Sequence, residues 1–183
     1  MTQTTVLITG VTGFSGKYHI EKAIAEGYQV VGIGRNAEKL LALEETYSGF
    51  TGRVCDLTAL DSEIDTILQE FQPKFVIHLA AKVYQGEHKT PALTLRNNGL
   101  CTLSILEAVR LYASDARVLI TTSAALYGGP ANKKDENAPV RSKDAYSASK
   151  MYDRILGHAY QKQFGLDIVE AVVYSVYRNI GVV

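Results

Sequence analysis

Tyr146 and Lys150 stand four residues apart in Tyr-Ser-Ala-Ser-Lys, at the head of a segment with helical character, Tyr146–Phe164. On a helix this spacing puts both side chains on one face, a phenol beside an ammonium. A phenol is ordinarily a poor base at neutral pH. A neighbouring cation favours the phenolate and readies the group for proton transfer. The same spacing also occurs in ordinary surface Tyr/Lys pairs, so the pattern needs support from elsewhere. Ser123 supplies it, closing the apolar run Arg117–Thr121 through Thr122. At the carboxyl edge of a parallel sheet its hydroxyl could bond the oxygen that Tyr146 protonates. The plainer reading of Ser123 is a strand-end hydroxyl that caps the backbone.

A second set of residues could hold phosphates. Thr9-Gly10-Val11-Thr12-Gly13-Phe14-Ser15-Gly16 follows an apolar run and opens a helix-like segment. Glycines in that context permit a tight turn, close backbone approach to a pyrophosphate, and close packing of helix on strand. The helix start adds N–H groups and partial positive charge. Gly10, Thr12, Gly13, Phe14, Ser15 and Gly16 are therefore candidate dinucleotide contacts. At the end of the next apolar run, an NAD enzyme places an acidic residue for the ribose 2′-hydroxyl. Here the text is Ile33-Gly34-Arg35-Asn36. With no carboxylate at Gly34 and a guanidinium next to it, a 2′-phosphate would be accepted, and NADP(H) is preferred over NAD(H). Asp56, with Leu57 beside it, closes the third run and could accept from an adenine amino group, although Asp-Leu-Thr is equally a turn former.

These residues must be positioned by a regular alternation. Strands are predicted at Thr5–Thr9, Gln29–Ile33, Thr51–Cys55, Phe75–Leu79, Arg117–Thr121 and Asp167–Val173. Their continuous apolar character fits strands covered on both faces. Helices are predicted at Gly16–Glu26, Ala37–Tyr47, Asp61–Phe71, Leu93–Tyr112 and Tyr146–Phe164, the fourth with a stripe of Leu103, Leu106, Val109 and Arg110. Asn36 and Asp61 read as N-caps, Gly27 and Gly165 follow helices, and Pro73 precedes a strand. The fold class is α/β, a doubly wound parallel sheet with helices on both faces. Gly128–Lys143, rich in Gly, Pro, Asn and charge, reads as a long surface loop.

Composition narrows the partners. The chain has 183 residues, with 19 basic against 19 acidic side chains, and this balance argues against a nucleic-acid binder held by phosphate contacts. The two cysteines, Cys55 and Cys101, exclude a disulfide framework and suit a reducing compartment. The start of the chain has no basic segment leading into an apolar one, so no signal peptide is expected. No apolar stretch approaches the roughly 20 residues of a membrane span. A cytoplasmic protein that binds neither membrane nor nucleic acid is expected.

Taken together, TGVTGFSG at 9–16, HLAA at 78–81, NNGLCT at 97–102, SAALYGG at 123–129 and YSASK at 146–150 resemble the extended short-chain dehydrogenases/reductases, the nucleotide-sugar epimerase/dehydratase group. The resemblance covers nearly the whole chain and implies a Rossmann-type fold. It implies Tyr146 as general acid/base, Lys150 as holder of the nicotinamide ribose and support for the phenolate, and Ser123 as the third catalytic residue. Leu79, Ala80 and Ala81 match the stretch that passes along the cofactor. Asn98 matches an Asn-x-x-Gly-Thr position, although Cys101 replaces that motif's glycine. His78 reads as part of its strand.

The resemblance also bears on the reaction. Sugar 4,6-dehydratases of this group carry an acidic pair directly after the catalytic hydroxyl residue, and here those positions are Ala124 and Ala125. Reduction of a 4-keto sugar by NADPH is the expected activity, with a 4-epimerase as the alternative. The segments Arg96–Arg110, Asp115–Leu119 and Asn179–Gly181 resemble reductases of GDP-4-keto-6-deoxymannose. A regulator that senses NADP(H) without catalysis is the non-enzyme alternative, and an inactive fragment is a third reading. The group also implies a C-terminal substrate domain, so residues 1–183 are read as one dinucleotide-binding domain with that part missing. A homodimer through a four-helix contact of Leu93–Tyr112 and Tyr146–Phe164 is implied as well.

Overall fold

The computed structural model describes residues 3–59, 63–82, 90–128, 135, 137–174 and 176. Six strands, β1 (Thr5–Thr9), β2 (Gln29–Gly34), β3 (Phe50–Val54), β4 (Phe75–His78), β5 (Arg117–Ser123) and β6 (Asp167–Val173), form one parallel sheet in the order β3-β2-β1-β4-β5-β6. The helices are α1 (Gly16–Ala25), α2 (Ala37–Thr46), α3 (Ile64–Phe71), α4 (Pro91–Tyr112) and α5 (Ala145–Phe164), with a 3-10 turn at Ala124–Tyr127. This is the doubly wound Rossmann-type arrangement expected. The chain reverses its direction of travel across the sheet between β1 and β4, so the turns after those strands flank a crevice at the carboxyl edge.

Alternate residues of each strand feed two cores. Val6, Ile8 and Val30 pack with Ile20 and Ala23 of α1 and Leu40 of α2. Leu7, Val31, Val76, Val118 and Ile120 face the other way, against Leu68 of α3, Leu106 and Val109 of α4 and Tyr160 of α5. Past the first residue of each strand, both-face burial is complete in β1 and β2 only. In β5 buried and half-buried residues alternate, and Val169 of β6 is 43% exposed. Among the described residues, α1 and α2 cover β1–β3, and no helix lies on that side of β5 and β6. That is why β5 and β6 depart from the two-sided burial that their apolar runs predict.

The helix ends follow local chemistry. Asn36 Oδ1 accepts from Lys39 N at 2.8 Å and starts α2. Asp144 and Ser147 form a reciprocal capping box, with Ser147 N donating to Asp144 Oδ1 at 2.7 Å, which fixes the turn carrying Tyr146. Gly165 ends α5 with φ +73°, and Gly27 follows α1 with φ +84°. Asp61 lies outside the described residues. Helix α3 starts at Ile64, after a Glu63 that makes no side-chain cap. The buried stripe of α4 comprises Asn98, Thr102, Ile105, Leu106, Ala108 and Val109. Leu103 and Arg110 are only half-buried, so the buried face includes two polar side chains in place of that leucine and arginine.

Candidate active site

The glycine turn after β1 is open on one side and closed on the other. Gly13 and Phe14 are exposed, Phe14 by 51%. Gly10 has φ +70°, and a Cβ there would sit 2.9 Å from Ala80 N and Cα. The turns after β1 and β4 therefore touch through backbone. At Gly16 a Cβ would lie 1.8 Å from Val11 O, so only glycine lets α1 begin this close to the Val11 peptide of the turn. Ser15, the N-cap of α1, has helical backbone angles and makes no side-chain cap, unlike Asn36 and Asp144. A helix start without a side-chain cap, reached through an exposed glycine turn at the sheet's crossover point, fits a pyrophosphate. Thr12 lies beside Gly34, where a Cβ would be 3.1 Å from Thr12 Cγ2.

Arg35 and Asp56 follow the paired ends of β2 and β3, both exposed and close enough for the Arg35 charge to act on Asp56. Asp56 Oδ1 accepts from Thr58 N at 2.9 Å and Thr58 Oγ1 at 2.8 Å. These bonds, with a smaller contribution from the Arg35 charge, hold its carboxyl below the usual range. The Asp-Leu-Thr turn is thus formed. Leu57 is buried beneath it. Cys101 on α4 faces the same region, its thiol pushed up to about 11 by burial first and by Asp56 second. A thiol held neutral in this way is no nucleophile.

Near the other end of the crevice the structure brings β5, α4 and α5 together. Ser123 closes β5, and its Oγ accepts from Ala125 N at 3.2 Å. The backbone-capping reading of this serine is therefore realised, at the carboxyl edge where the catalytic reading also needs it. Tyr146 is half-buried in the first turn of α5. Lys150, one turn on, is 3% exposed. Its ammonium donates to Thr121 O at 2.9 Å and to Asp153 Oδ2 at 3.0 Å. Asn98 is likewise committed: its Oδ1 accepts from Lys82 N at 2.7 Å, and its amide donates to Lys82 O and to Ser149 Oγ. Asn98 thus braces the segment after Leu79, Ala80 and Ala81 against α5.

Sequence reasoning missed the side chains that hold this arrangement. Thr102 Oγ1 donates to Asp153 Oδ1 at 2.6 Å and lies 3.3 Å from His78 Nε2. His78 Nδ1 is 2.8 Å from Thr9 Oγ1, which accepts from Ala80 N at 3.1 Å. Thr121 Oγ1 donates to His78 O at 3.0 Å. All of Thr9, His78, Thr102, Lys150 and Asp153 are buried. Burial first, and the Lys150 charge second, lower the His78 pKa to about 3. A second cluster holds the turn after Ser123: Arg154 Nε donates to both Glu170 oxygens at 2.8 and 2.9 Å, its Nη2 donates to Tyr127 OH, and Thr122 Oγ1 donates to Glu170 Oε1. Asp153, three residues after Lys150 on one helix, was the available signal, since i and i+3 share a face.

Residues 129–134 of the long loop and residues 179–181 lie outside the described residues. Among the described residues, no helix is long and apolar enough to cross a membrane.

Comparison with known proteins agrees with this geometry. The chain is 29% identical over 178 residues to UDP-glucose 4-epimerase of Mycolicibacterium smegmatis, covering 93% of this chain and 56% of that protein. It is also 29% identical over 182 residues to a GDP-mannose 4,6-dehydratase of Vibrio cholerae, covering 92% and 49%. The chain thus spans about half the length of the curated relatives it matches. Among solved structures, UDP-glucose 4-epimerase of Thermus thermophilus in complex with NAD superposes with a TM-score of 0.80 at 27% identity, over 91% of this chain and 53% of that one. The Brucella ovis enzyme with NAD gives 0.80 at 25% identity, over 91% and 50%. The GDP-mannose 4,6-dehydratase profile matches residues 7–180. The chain belongs to that family, within the extended short-chain dehydrogenases/reductases.

Proposed function

We propose that this chain carries the cofactor site and reactive residues of an NADP(H)-dependent oxidoreductase acting on a nucleotide-sugar, and that its reaction is reduction of a 4-keto sugar. One observation carries the choice against dehydration, and the NADP(H) preference then favours reduction over epimerisation. Ala124 and Ala125 form the turn directly after Ser123, where dehydration would need an acid and a base. Their methyl groups can neither protonate a departing hydroxyl nor take up a proton.

The preference for NADP(H) rests on Arg35 and Gly34. An exposed guanidinium stands at the end of β2 with no carboxylate in the preceding position. An acidic side chain at Gly34 would also crowd Thr12. Gly10, Thr12, Gly13, Phe14, Ser15 and Gly16 would hold the pyrophosphate, Asp56 and Leu57 the adenine side, and Leu79–Ala81 the stretch between. The bound cofactor supplies the hydride. Tyr146 gives the proton to the substrate oxygen, and Ser123 hydrogen-bonds that same oxygen. Lys150 gives two of its three N–H groups to Thr121 O and Asp153. The third is available for a ribose hydroxyl, and its charge supports the phenolate left on Tyr146.

A 4-epimerase is the second reading, favoured by the NAD complexes of the two UDP-glucose 4-epimerases above. In that case the same Tyr146 moves the proton in both directions. A homodimer through α4 and α5 is supported by Leu93, Tyr152 and Ile155, which the monomer's core leaves 45%, 40% and 56% exposed.

Calorimetric titration with NADPH and, separately, NADH tests the assignment. Tighter NADPH binding is expected, followed by oxidation of NADPH in the presence of a nucleotide-linked 4-keto sugar. Tighter NADH binding would overturn the reductase reading in favour of epimerisation.

A further inference from the structure

The buried chain around Lys150 has a direction that one side chain decides. A carboxylate only accepts hydrogen bonds. Asp153 therefore takes one proton from Lys150 through Oδ2 and one from Thr102 through Oδ1. Thr102 has a single hydroxyl proton, and it is spent on Asp153. The contact between Thr102 Oγ1 and His78 Nε2 must then be a donation by the ring, so Nε2 carries the proton. His78 is neutral, because burial and the Lys150 charge disfavour its cation. Its Nδ1 is consequently a bare acceptor, and Thr9 Oγ1–H donates to it. Thr9 in turn accepts from Ala80 N. Every bond in this chain is oriented, and no buried side-chain N or O among the described residues lacks a partner.

We infer that Asp153 is a positioning residue: its carboxylate holds the Lys150 ammonium against Thr121 O and, through Thr102, His78 and Thr9, fixes the proton positions out to the Ala80 peptide on the cofactor side. The inference rests on the reading of Lys150 and Leu79–Ala81 as cofactor contacts. Asp153→Asn exchanges one oxygen for an NH2 group and would reverse the chain. The ammonium requires an acceptor, so the carbonyl of the introduced amide must face Lys150 and its NH2 must face Thr102. Thr102 would then accept from the amide and donate to His78 Nε2, which moves the ring proton to Nδ1. Thr9 Oγ1 would receive both the ring proton and the Ala80 N–H, and would no longer donate to the ring.

The experiment is nitrogen NMR of histidine-labelled protein, wild type and Asp153→Asn, beside calorimetry with NADPH and NADH on wild type, Asp153→Asn and Asp153→Glu. The expected results are a His78 ring protonated on Nε2 in wild type and on Nδ1 in Asp153→Asn. NADPH affinity is expected to fall about tenfold in Asp153→Asn, a change of ~1.4 kcal/mol, and to recover in part in Asp153→Glu. A wild-type ring protonated on Nδ1 overturns the inference with no variant needed. So does an unchanged tautomer in folded Asp153→Asn, or NADPH affinity equal in all three proteins. If wild type binds neither cofactor, the cofactor reading fails, and the tautomer measurement decides the proton chain alone.

Discussion

At the glycine turn the candidate site is made of backbone and of side chains that are absent, whereas from Thr9 across β4, β5, α4 and α5 it is made of buried polar side chains joined end to end. Gly10, Gly16 and Gly34 work by leaving room. Thr9, His78, Thr102, Lys150 and Asp153 work by filling the interior with matched donors and acceptors. The difference sets how each half fails. A vacancy is spoiled by adding atoms, and the resulting overpacking is local. A closed polar chain is spoiled by removing any member, because the remainder is left buried and unpaired.

The largest effect is therefore expected at Asp153. Asp153→Ala leaves the Lys150 ammonium buried without its counter-charge, and breaking a buried pair costs about 3–5 kcal/mol. Asp56→Ala deletes an exposed carboxylate of the other half whose hydrogen bonds, among the described residues, go to Thr58 of its own turn. Its cost should stay near 0.5–1 kcal/mol, roughly that of a surface or single-bond change. Urea unfolding of both variants measures the contrast, and equal losses would break it.

Next comes Gly16→Ala. One methyl group placed 1.8 Å from Val11 O must push the start of α1 off the Val11 peptide of the turn, at a cost of about 1–3 kcal/mol. The same shift spoils the helix start, so cofactor binding should be lost along with stability. A variant of wild-type stability and affinity would show that the vacancy is not needed.

Acid reads the polar half directly. His78 titrates near 3 in the folded protein, chiefly through burial, and near 6.5 when unfolded. Below pH 6.5 the unfolded chain binds a proton that the folded chain refuses. Stability contributed by the neutral ring is complete above that pH and falls, by up to about 1.4 kcal/mol per pH unit, as pH drops toward 3. Denaturant titrations at stepped pH should show this slope in wild type and a flatter one in His78→Gln. Parallel slopes would mean that His78 is not held neutral.

The two halves were also unequally legible. The glycine turn, Arg35 and the strand–helix alternation are written in contiguous residues, because their physics is local: turn geometry, caps and periodicity. The proton chain joins Thr9 to His78, His78 to Thr102, and Thr102 to Asp153. Those pairs lie far apart in sequence and meet only because β1 and β4 are neighbours and α4 packs on α5. His78 accordingly read as a strand residue, and of the polar members of the α4 stripe Asn98 was named while the role of Thr102 was hidden. Local reading also overstated burial in β5 and β6, since an apolar run does not say which sheet face lacks a helix.

A modest effect on selectivity is expected at the exposed end of the crevice. Arg35→Ala should lower the ratio of NADPH to NADH affinity by about tenfold, or ~1.4 kcal/mol, the low end for hydrogen bonds to a charged group. The low end applies because Arg35 is exposed, where water and salt screen a guanidinium–phosphate pair. The Asp56 carboxylate nearby also competes for its charge. Raising ionic strength should therefore shrink the wild-type preference and leave the Arg35→Ala ratio almost unmoved. At a given ionic strength NADH affinity should be nearly unchanged by Arg35→Ala, because the 2′-hydroxyl offers no charge for Arg35 to meet. If Arg35→Ala weakens both cofactors equally, the guanidinium supports the turn and not the 2′-phosphate. The β1–β3 half would then be selective by vacancy alone.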